Sequence, residues 1–175
     1  MKTILIAVLT LLSAAAHANE QEQGFALELG LGSVHATKRA DGQPWNERNT
    51  GVALEYVSPG RFFGHRVQYC ATAGEMQNSE FGETLFAGAC VRKEILSGEL
   101  GTISVGAFAG AMTYPSRYNA DRKPGDIFPA ILPTASACLR ATSNVCLDAT
   151  FIPKVQKDDA NASAALFFSL RMSFY

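Results

Sequence analysis

The last segment of the chain, residues 162–175, alternates apolar and polar side chains so regularly that few folds can accommodate it. One register is apolar throughout and contains Ala164, Leu166, Phe168, Leu170, Met172 and Phe174. The other register contains Ser163, Ser169, Arg171 and Ser173. A repeat of two residues predicts a β-strand. Because one face is apolar and the other carries an arginine, the strand is typical of a barrel wall with lipid outside and a filled lumen inside.

The start of the chain has the pattern of a targeting segment. Lys2 precedes an apolar run at residues 4–12, and the small residues Ala16 and Ala18 form a cleavage site. Residues 1–18 are therefore predicted to be a signal peptide that is cleaved after Ala18. The chain carries 15 basic and 16 acidic side chains, a balance that argues against a nucleic-acid partner.

Beyond the signal peptide, the apolar runs are too short for a membrane-spanning helix, which needs roughly 18 uncharged apolar residues. A barrel strand needs about 9–11 residues, and the mature chain has the length of eight such strands with their turns. The predicted fold is all-β: an eight-stranded antiparallel transmembrane β-barrel of the outer membrane, in one domain at residues 19–175. We expect no cofactor and no metal.

The four cysteines of the chain are Cys70, Cys90, Cys138 and Cys146. Their spacing matches no metal-binding motif, and an exported chain meets an oxidising compartment. Cys138 and Cys146 flank a predicted turn at residues 141–144 and would face each other across a hairpin. The sequence leaves open whether they form a disulfide or are small side chains lining the lumen.

Turn-forming and polar residues divide the remaining sequence into strands and loops. The first strand is predicted at residues 24–36, with His35 at its exit, before a long polar loop. The second strand begins near Val52, and Ser58, Pro59 and Gly60 have the chemistry of a tight turn after it. Long loops lie at the outer end of such barrels, so His35 is predicted at the outer rim. Further strands are predicted at 62–73, 84–92, 100–114, from 127, and at 145–153 and 162–175, with loops at 37–49, 74–80, 115–126 and 154–162.

Two prolines and one arginine bear on the barrel wall. Pro129 and Pro133 remove two backbone donors from the sixth strand, and lipid cannot satisfy the carbonyls left without partners. A lateral opening beside these prolines would accommodate the gap. In the fourth strand, Arg92 predicts that its register faces the lumen.

Six stretches of the sequence occur in the order, and with nearly the spacing, of a known protein family. They are WNERNTG at 45–51, QNSEFGETLFAGA at 77–89, ISVGAFAGA at 103–111, IFPAILPTASA at 127–137, ATFIPK at 149–154 and FFSLRMSF at 167–174. From Trp45 to the C-terminus, and more loosely from His35, the chain resembles the lipid A palmitoyltransferases (PagP). The final strand also resembles the assembly signal of bacterial outer-membrane barrels.

The resemblance implies a function. Members of the family are eight-stranded outer-membrane barrels that move a palmitoyl chain from a phospholipid to a hydroxyacyl chain of lipid A. The expected partners are therefore lipid A, as lipopolysaccharide, and phospholipid, bound by a membrane-embedded monomer. The family has an amphipathic helix before its first strand, whereas residues 19–23 are too short for one here.

The resemblance also assigns catalytic positions. The family's histidine falls on His35 and its serine on Ser79, whereas Asn78 occupies the position of its acid. His35 would be the general base on the acceptor hydroxyl. Ser79 would be a nucleophile or an oxyanion donor, which the sequence does not separate.

Asn78 cannot hold a protonated histidine as a carboxylate would. It would orient His35 by hydrogen bonds alone, or Glu75 or Glu80 would supply the charge, or activity would be feeble. Restoring the acid with Asn78→Asp should then keep or raise activity.

Substrate-binding positions follow from the same alignment. Cys90 and Gly88 fall at the floor of the family's acyl-chain cavity, so that Cys90→Gly should lengthen the preferred donor chain. Pro129 and Pro133 take the place of its lateral gates. Three basic side chains of the first loop are candidates for contacts with lipid A phosphates; they are Lys38, Arg39 and Arg48.

Other functions compete with acyl transfer. The main alternative is a non-catalytic structural or adhesive outer-membrane barrel, which the missing acid favours. A lipid A deacylase would need a histidine late in the chain, and none follows His65. A soluble lipocalin-type barrel is disfavoured by the apolar outward face of the last strand.

Overall fold

The computed structural model describes residues 23–63, 65–118, 125–139, 144–154 and 163–174, apart from the side chains of Arg61 and Arg66. The predicted signal peptide and most of the predicted turn at 141–144 lie outside these ranges. Within them, no helix is long and apolar enough to cross a membrane.

Eight strands pair in sequence order into a closed antiparallel barrel, because β8 returns to pair with β1. This arrangement confirms the predicted all-β, eight-stranded fold. The strands are β1 (Gly24–His35), β2 (Gly51–Phe62), β3 (His65–Gln77), β4 (Glu83–Ser97), β5 (Gly101–Thr113), β6 (Ile127–Leu139), β7 (Val145–Ile152) and β8 (Ala165–Phe174).

The alternation predicted for the last strand is confirmed in β8. Ser169, Arg171 and Ser173 are buried, whereas Leu166 is 44% exposed. Since successive side chains of a strand point to opposite faces, the polar register lines the lumen and the apolar register forms the outer surface.

One predicted turn is wrong, and one predicted loop is only partly right. Ser58, Pro59 and Gly60 lie within β2, which continues to Phe62. Beyond Val57, the described part of β1 no longer pairs with β2, and proline is tolerated at such an edge. The predicted loop at 74–80 also begins too early, because β3 continues to Gln77, which pairs with Glu83 of β4.

A β-bulge in β1 decides which way His35 points. The pairing with β8 shifts between Gly30 and Gly32, leaving Leu31 as the extra residue. Before the bulge the even-numbered Ala26 is fully buried, and after it the odd-numbered Ser33 is buried instead. A bulge re-aims the side chains that follow it, and here it turns His35 towards the interior.

Charged side chains fill the middle of the lumen. The guanidinium of Arg92 donates two hydrogen bonds to Glu55, at 2.7 and 2.6 Å. Arg171 donates to Asp148 at 2.8 Å, and Glu28 lies 3.8 Å from Arg92. The prediction that Arg92 faces the lumen is confirmed. Its charge-assisted bonds to Glu55 join β4 to β2 across the lumen, whereas those of Arg171 to Asp148 join the neighbouring strands β8 and β7.

Two disulfides join neighbouring strands. Cys138 of β6 and Cys146 of β7 form a disulfide. Of the two possibilities that the sequence left open, the structure therefore has the bonded pair. Cys70 of β3 and Cys90 of β4 also form a disulfide. Both pairs are directly opposite in the strand register, where side chains are closest.

The wall between β6 and β7 is only partly paired. Its register runs from Thr134 opposite Thr150 to Cys138 opposite Cys146. Above it, residues 127–133 of β6 pair with β5 but with no described residue of β7. Pro129 and Pro133 both lie in this stretch, whose side facing β7 has no ladder partner among the described residues. We call this gap the β6–β7 seam.

Candidate active site

A cavity of about 350 Å³ lies at the end of the barrel where β1 ends and β2 begins, which we call the loop end. Most of its lining is apolar, and it contains Phe128, Pro129, Ala130, Ile131 and Leu132 from the seam. His35 and Ser79 both belong to the lining. The structure thus brings these two predicted catalytic residues to one apolar cavity beside the seam.

His35 is packed against the loop that joins β1 to β2. Its imidazole is stacked on the indole of Trp45, with ring centroids 4.4 Å apart and 7° between the planes. Its side chain is 3% exposed, and its Nδ1 lies 3.7 Å from Oε1 of Glu47. Nδ1 has no hydrogen-bond partner among the described residues.

Glycines of β1 allow this loop to lie directly on the strand. A Cβ at Gly32 would overlap the carbonyl oxygen of Glu47, and one at Gly30 would overlap that of Asn49. The N–H of Ser33 donates to the carbonyl of Glu47 at 3.0 Å. The absence of two side chains therefore permits this close approach, and the Ser33–Glu47 hydrogen bond holds the loop backbone beside His35.

Asn78 is buried, and its side chain holds the loops together instead of supporting His35. Its amide donates to the carbonyl of Pro115 at 2.7 Å and to Thr84 Oγ1 at 3.3 Å. Its Oδ1 accepts from the backbone N–H groups of Glu80 and Gly82, both at 2.9 Å. These four bonds use the hydrogen-bonding capacity of the amide, so the predicted role of Asn78 as an orienting partner of His35 finds no contact.

Ser79 follows Asn78 in the same tight turn and is 7% exposed. Its carbonyl accepts a hydrogen bond from the backbone N–H of Asn46 at 2.9 Å. This bond ties the Ser79 turn to the loop that carries Trp45 and Glu47. The two loops of the site are therefore joined through their backbones.

Arg39 connects three loops and is not available to a phosphate as the sequence predicted. It is 6% exposed and donates to Asp41 at 3.0 and 2.6 Å and to Glu80 at 3.0 Å. Its guanidinium also lies over the rings of Trp45 and Tyr118. Two carboxylates neutralise its charge, whereas Lys38 and Arg48 are exposed.

The Arg39–Asp41 pair changes the acidity of both groups. The hydrogen bonds to Asp41 raise the pKa of Arg39 above its usual value. In return, the hydrogen bonds from Arg39 hold the pKa of Asp41 below its usual value. The charged form of each group is therefore the stable one in the folded loop.

Neither glutamate that the sequence offered as a substitute acid contacts His35. Glu80 is hydrogen-bonded to Arg39. Glu75 is exposed on β3, in the register opposite to the buried Cys70 and Thr72, and so points away from the lumen. The carboxylate beside His35 belongs to Glu47, which sequence reasoning missed although it lies in the WNERNTG stretch together with Trp45.

Cys90, the predicted floor of the acyl-chain cavity, lines a different cavity from the one that contains His35 and Ser79. Met112 and Leu132 line both the loop-end cavity and a smaller one of about 80 Å³ beneath it. Cys90 lines the lower cavity and is bonded to Cys70. The two cavities meet at Met112, Leu132 and Ile152, and Cys90 does not line the upper one, so the prediction that Cys90 forms the floor of that cavity finds no support.

Gly88 has a packing role below this boundary. A Cβ at Gly88 or at Gly110 would come within 2.6 Å of the ring of Phe108. The ring therefore lies against a wall without side chains, where it also packs edge-on to Phe86 with centroids 6.4 Å apart. Gly88 therefore makes room for the Phe108 ring inside the lumen.

Of the two prolines, Pro129 lines the loop-end cavity directly, whereas Pro133 lies deeper in the seam, opposite Ala107 of β5.

A possible metal group of Glu55, Cys70 and Cys90 has its ligand atoms within 4.8 Å of one another. Because both sulfurs are in the disulfide, they are not thiolate ligands.

Comparisons with known proteins add a likeness of fold. No protein-family model matches the chain, and no curated protein sequence matches it. Among solved structures, the chain is similar to the Yersinia pestis outer membrane protein Ail in a phospholipid bilayer nanodisc, with 11% sequence identity and a TM-score of 0.39. The match covers 87% of this chain and 100% of that chain.

Proposed function

We propose that this protein is an outer-membrane barrel that transfers an acyl chain from a phospholipid to a hydroxyl group of lipid A. The membrane location is supported by large apolar side chains on the outer face of the wall. They are Leu31, Leu54, Tyr56, Leu85, Ile103, Val105, Ile131, Leu147, Phe151 and Leu166, all at least 38% exposed. Apolar surface of this extent marks a membrane or an interface.

One observation carries the proposed reaction: His35 and Ser79 lie in the wall of the same apolar cavity. The cavity borders the β6–β7 seam, which gives an acyl chain a route from the membrane into the barrel. A cavity of about 350 Å³ falls within the size range of small-molecule sites, which are mostly apolar with a few polar groups. The site thus combines a place for an acyl chain with groups able to act on its ester.

The reaction is a transesterification. His35 accepts the proton of the lipid A hydroxyl as its oxygen attacks the carbonyl carbon of the donor ester. The new ester bond forms, the bond to the glycerol oxygen breaks, and the lysophospholipid leaves with the proton that His35 returns. In this single step Ser79 donates a hydrogen bond to the oxyanion. Alternatively Ser79 attacks first: its proton passes through His35 to the departing lysophospholipid, and the lipid A hydroxyl then cleaves the acyl-serine ester, its proton passing through His35 to the serine oxygen.

An assay with purified protein in detergent tests the proposal. Phospholipid labelled in its acyl chain is mixed with lipid A, and the labelled lipid A product is followed over time. We expect transfer by the wild type and by His65→Ala, since His65 is an exposed residue at the opposite end of the barrel. His35→Ala and Ser79→Ala should lose transfer while still folding.

A non-catalytic structural or adhesive barrel gives the opposite result. Such a protein would show no transfer in the wild type under any donor tested. If His35→Ala still transfers the acyl chain, the protein is an enzyme, but His35 is not its general base.

A further inference from the structure

We propose that Glu47 is the positioning residue of His35 and supplies the carboxylate that the Asn78 position lacks. This inference rests on the proposed function for its catalytic meaning. The pairing of the two side chains, however, is a property of the protein alone and can be measured without any substrate.

The distance between His35 and Glu47 allows their side chains to form a hydrogen bond after a small movement. Nδ1 of His35 lies 3.7 Å from Oε1 of Glu47, whereas a charge-assisted hydrogen bond is about 2.7–2.9 Å long. The imidazole is nearly inaccessible, and the Glu47 side chain is 56% exposed. Movement of the exposed side chain by about 1 Å closes the gap, and catalytic hydrogen bonds are often long until substrate binds.

The backbone of Glu47 is already fixed in the position that the pair needs. Its carbonyl accepts the N–H of Ser33, two residues before His35 on the same strand. The missing Cβ of Gly32 lets that carbonyl reach the strand. Only the side-chain torsions of Glu47 are therefore left to order.

The His35–Glu47 pair also selects the imidazole tautomer that catalysis needs. When Nδ1–H donates to Glu47, the lone pair of the imidazole lies on Nε2. Nε2 then takes the proton of the acceptor hydroxyl, and the nearby carboxylate stabilises the imidazolium that forms. Stacking on Trp45 fixes the ring plane but supplies no charge, so orientation and charge come from different residues.

The other charged groups around the ring are engaged with one another. Arg39 lies over the Trp45 ring at 4.8 Å and binds Asp41 and Glu80. Glu80 lines the same cavity as His35, but its carboxylate is hydrogen-bonded to Arg39. Glu47 is the carboxylate that the structure places at Nδ1.

Fluorescence of Trp45 tests the pair directly, because Trp45 is the single tryptophan of the chain. A protonated imidazole in contact with indole quenches its emission, so a pH titration of the folded protein in detergent reports the charge of His35. His35→Ala should abolish the titration step. Glu47→Gln should lower its midpoint by roughly half a pH unit, as expected for a partly exposed ion pair, while Glu99→Gln at the opposite end of the barrel should not.

Salt provides a second measurement that needs no variant. The midpoint of the wild type should fall as sodium chloride screens the exposed carboxylate, and the midpoint of Glu47→Gln should change less. In the transfer assay, Glu47→Gln should reduce kcat by about 100-fold, the lower end of the contribution of a general base, with KM nearly unchanged.

The results separate the pair from the proposed function. An unshifted midpoint in Glu47→Gln, or a wild-type midpoint insensitive to salt, overturns the pairing whatever the assay shows. A shifted midpoint in a protein without transfer activity establishes the pair and rejects the acyltransferase. A shifted midpoint with unchanged kcat also overturns the proposal, because Glu47 would then have no effect on catalysis.

Discussion

The indole of Trp45 and the imidazole of His35 lie parallel, with 7° between their planes. The indole is itself fixed, because its Nε1–H donates to the carbonyl of Thr37 at 2.8 Å and Arg39 lies over its ring. Packing against a fixed aromatic ring therefore sets the plane of the histidine. The site depends on the loop after β1 at least as much as on the Asn78–Ser79 turn.

Gly32→Ala should displace that loop without unfolding the barrel. The new Cβ would overlap the carbonyl of Glu47, so Trp45 and Glu47 must move away from His35. We expect about a 100-fold loss of transfer, the usual cost of misplacing a catalytic group by about 1 Å, together with a changed Trp45 emission spectrum. Gly98→Ala is the matched control, since its Cβ meets no atom within 4 Å; equal losses in both variants would contradict the explanation.

Asn78→Asp should lower activity, which is the reverse of what the sequence alone predicted. The amide donates to the carbonyl of Pro115 and to Thr84, whereas a carboxylate would place a charged oxygen against that carbonyl. The loss should be about 1–3 kcal/mol of local stability, seen as faster hydrogen exchange at the loop end. Asn144→Asp, at an exposed position at the other end, should show no such change. Activity equal to or above the wild type would restore the original prediction.

The length of the donor chain should respond to Leu132 and not to Cys90. Leu132 lines both cavities, so Leu132→Ala joins them and lets a chain descend by one or two methylenes. Each methylene discriminates by roughly 1–3 kcal/mol in a well-packed pocket, enough to change the order of preferred donors in a competition assay. The double variant Cys70→Ala, Cys90→Ala should keep the wild-type order, and a lengthened donor in that variant alone would place the floor at Cys90 after all.

Arg39→Gln should loosen three loops together. It removes the charge-assisted hydrogen bond from Arg39 to Glu80 and the cation that lies over the rings of Trp45 and Tyr118. We expect a loss of about 1–3 kcal/mol for the lost hydrogen bond to a charged group. Chymotrypsin should then cleave at the loop end faster than in the wild type. Arg48→Gln, an exposed change in the same loop, should leave cleavage unchanged.

Acid should loosen the same loops. The pKa of Asp41 is lowered by the hydrogen bonds from Arg39, so the pair contributes stability that is fully present above the unfolded pKa of about 3.9. That contribution is lost as the pH falls through the lower folded value. Chymotrypsin does not work under those conditions, so hydrogen exchange near pH 3 is the measurement, with Asp41→Asn expected to lack the acid-dependent step.

The pattern of the sequence predicts the wall of the barrel well because the wall is local and periodic. The polar and apolar registers of β8 are where the alternation places them, and Arg92 faces the lumen. The turn at Pro59 is wrong because turn chemistry is local, whereas the length of β2 is set by its pairing with β3. Partners such as Glu55 for Arg92 depend on the register of distant strands.

His35 shows why the site was harder to predict than the wall. Strict alternation from Phe25, Leu27 and Leu29 would put His35 on the outer face of β1. The bulge at Leu31 reverses the alternation, and neither the bulge nor the packing of Trp45 on His35 has a sequence signal of its own. The family resemblance pointed to His35, which lines the loop-end cavity, but it could not point to the carboxylate of Glu47 beside it.

The partial pairing of β6 with β7 has a mechanical consequence. The ladder between β6 and β7 ends in a covalent cross-link, because Cys138 and Cys146 form its last register pair and are joined by a disulfide. If the two strands separate from the Thr134–Thr150 pair onwards, the loss of hydrogen bonds can extend along the ladder only as far as the disulfide. We therefore expect any separation of β6 from β7 to stay confined to the upper part of the wall.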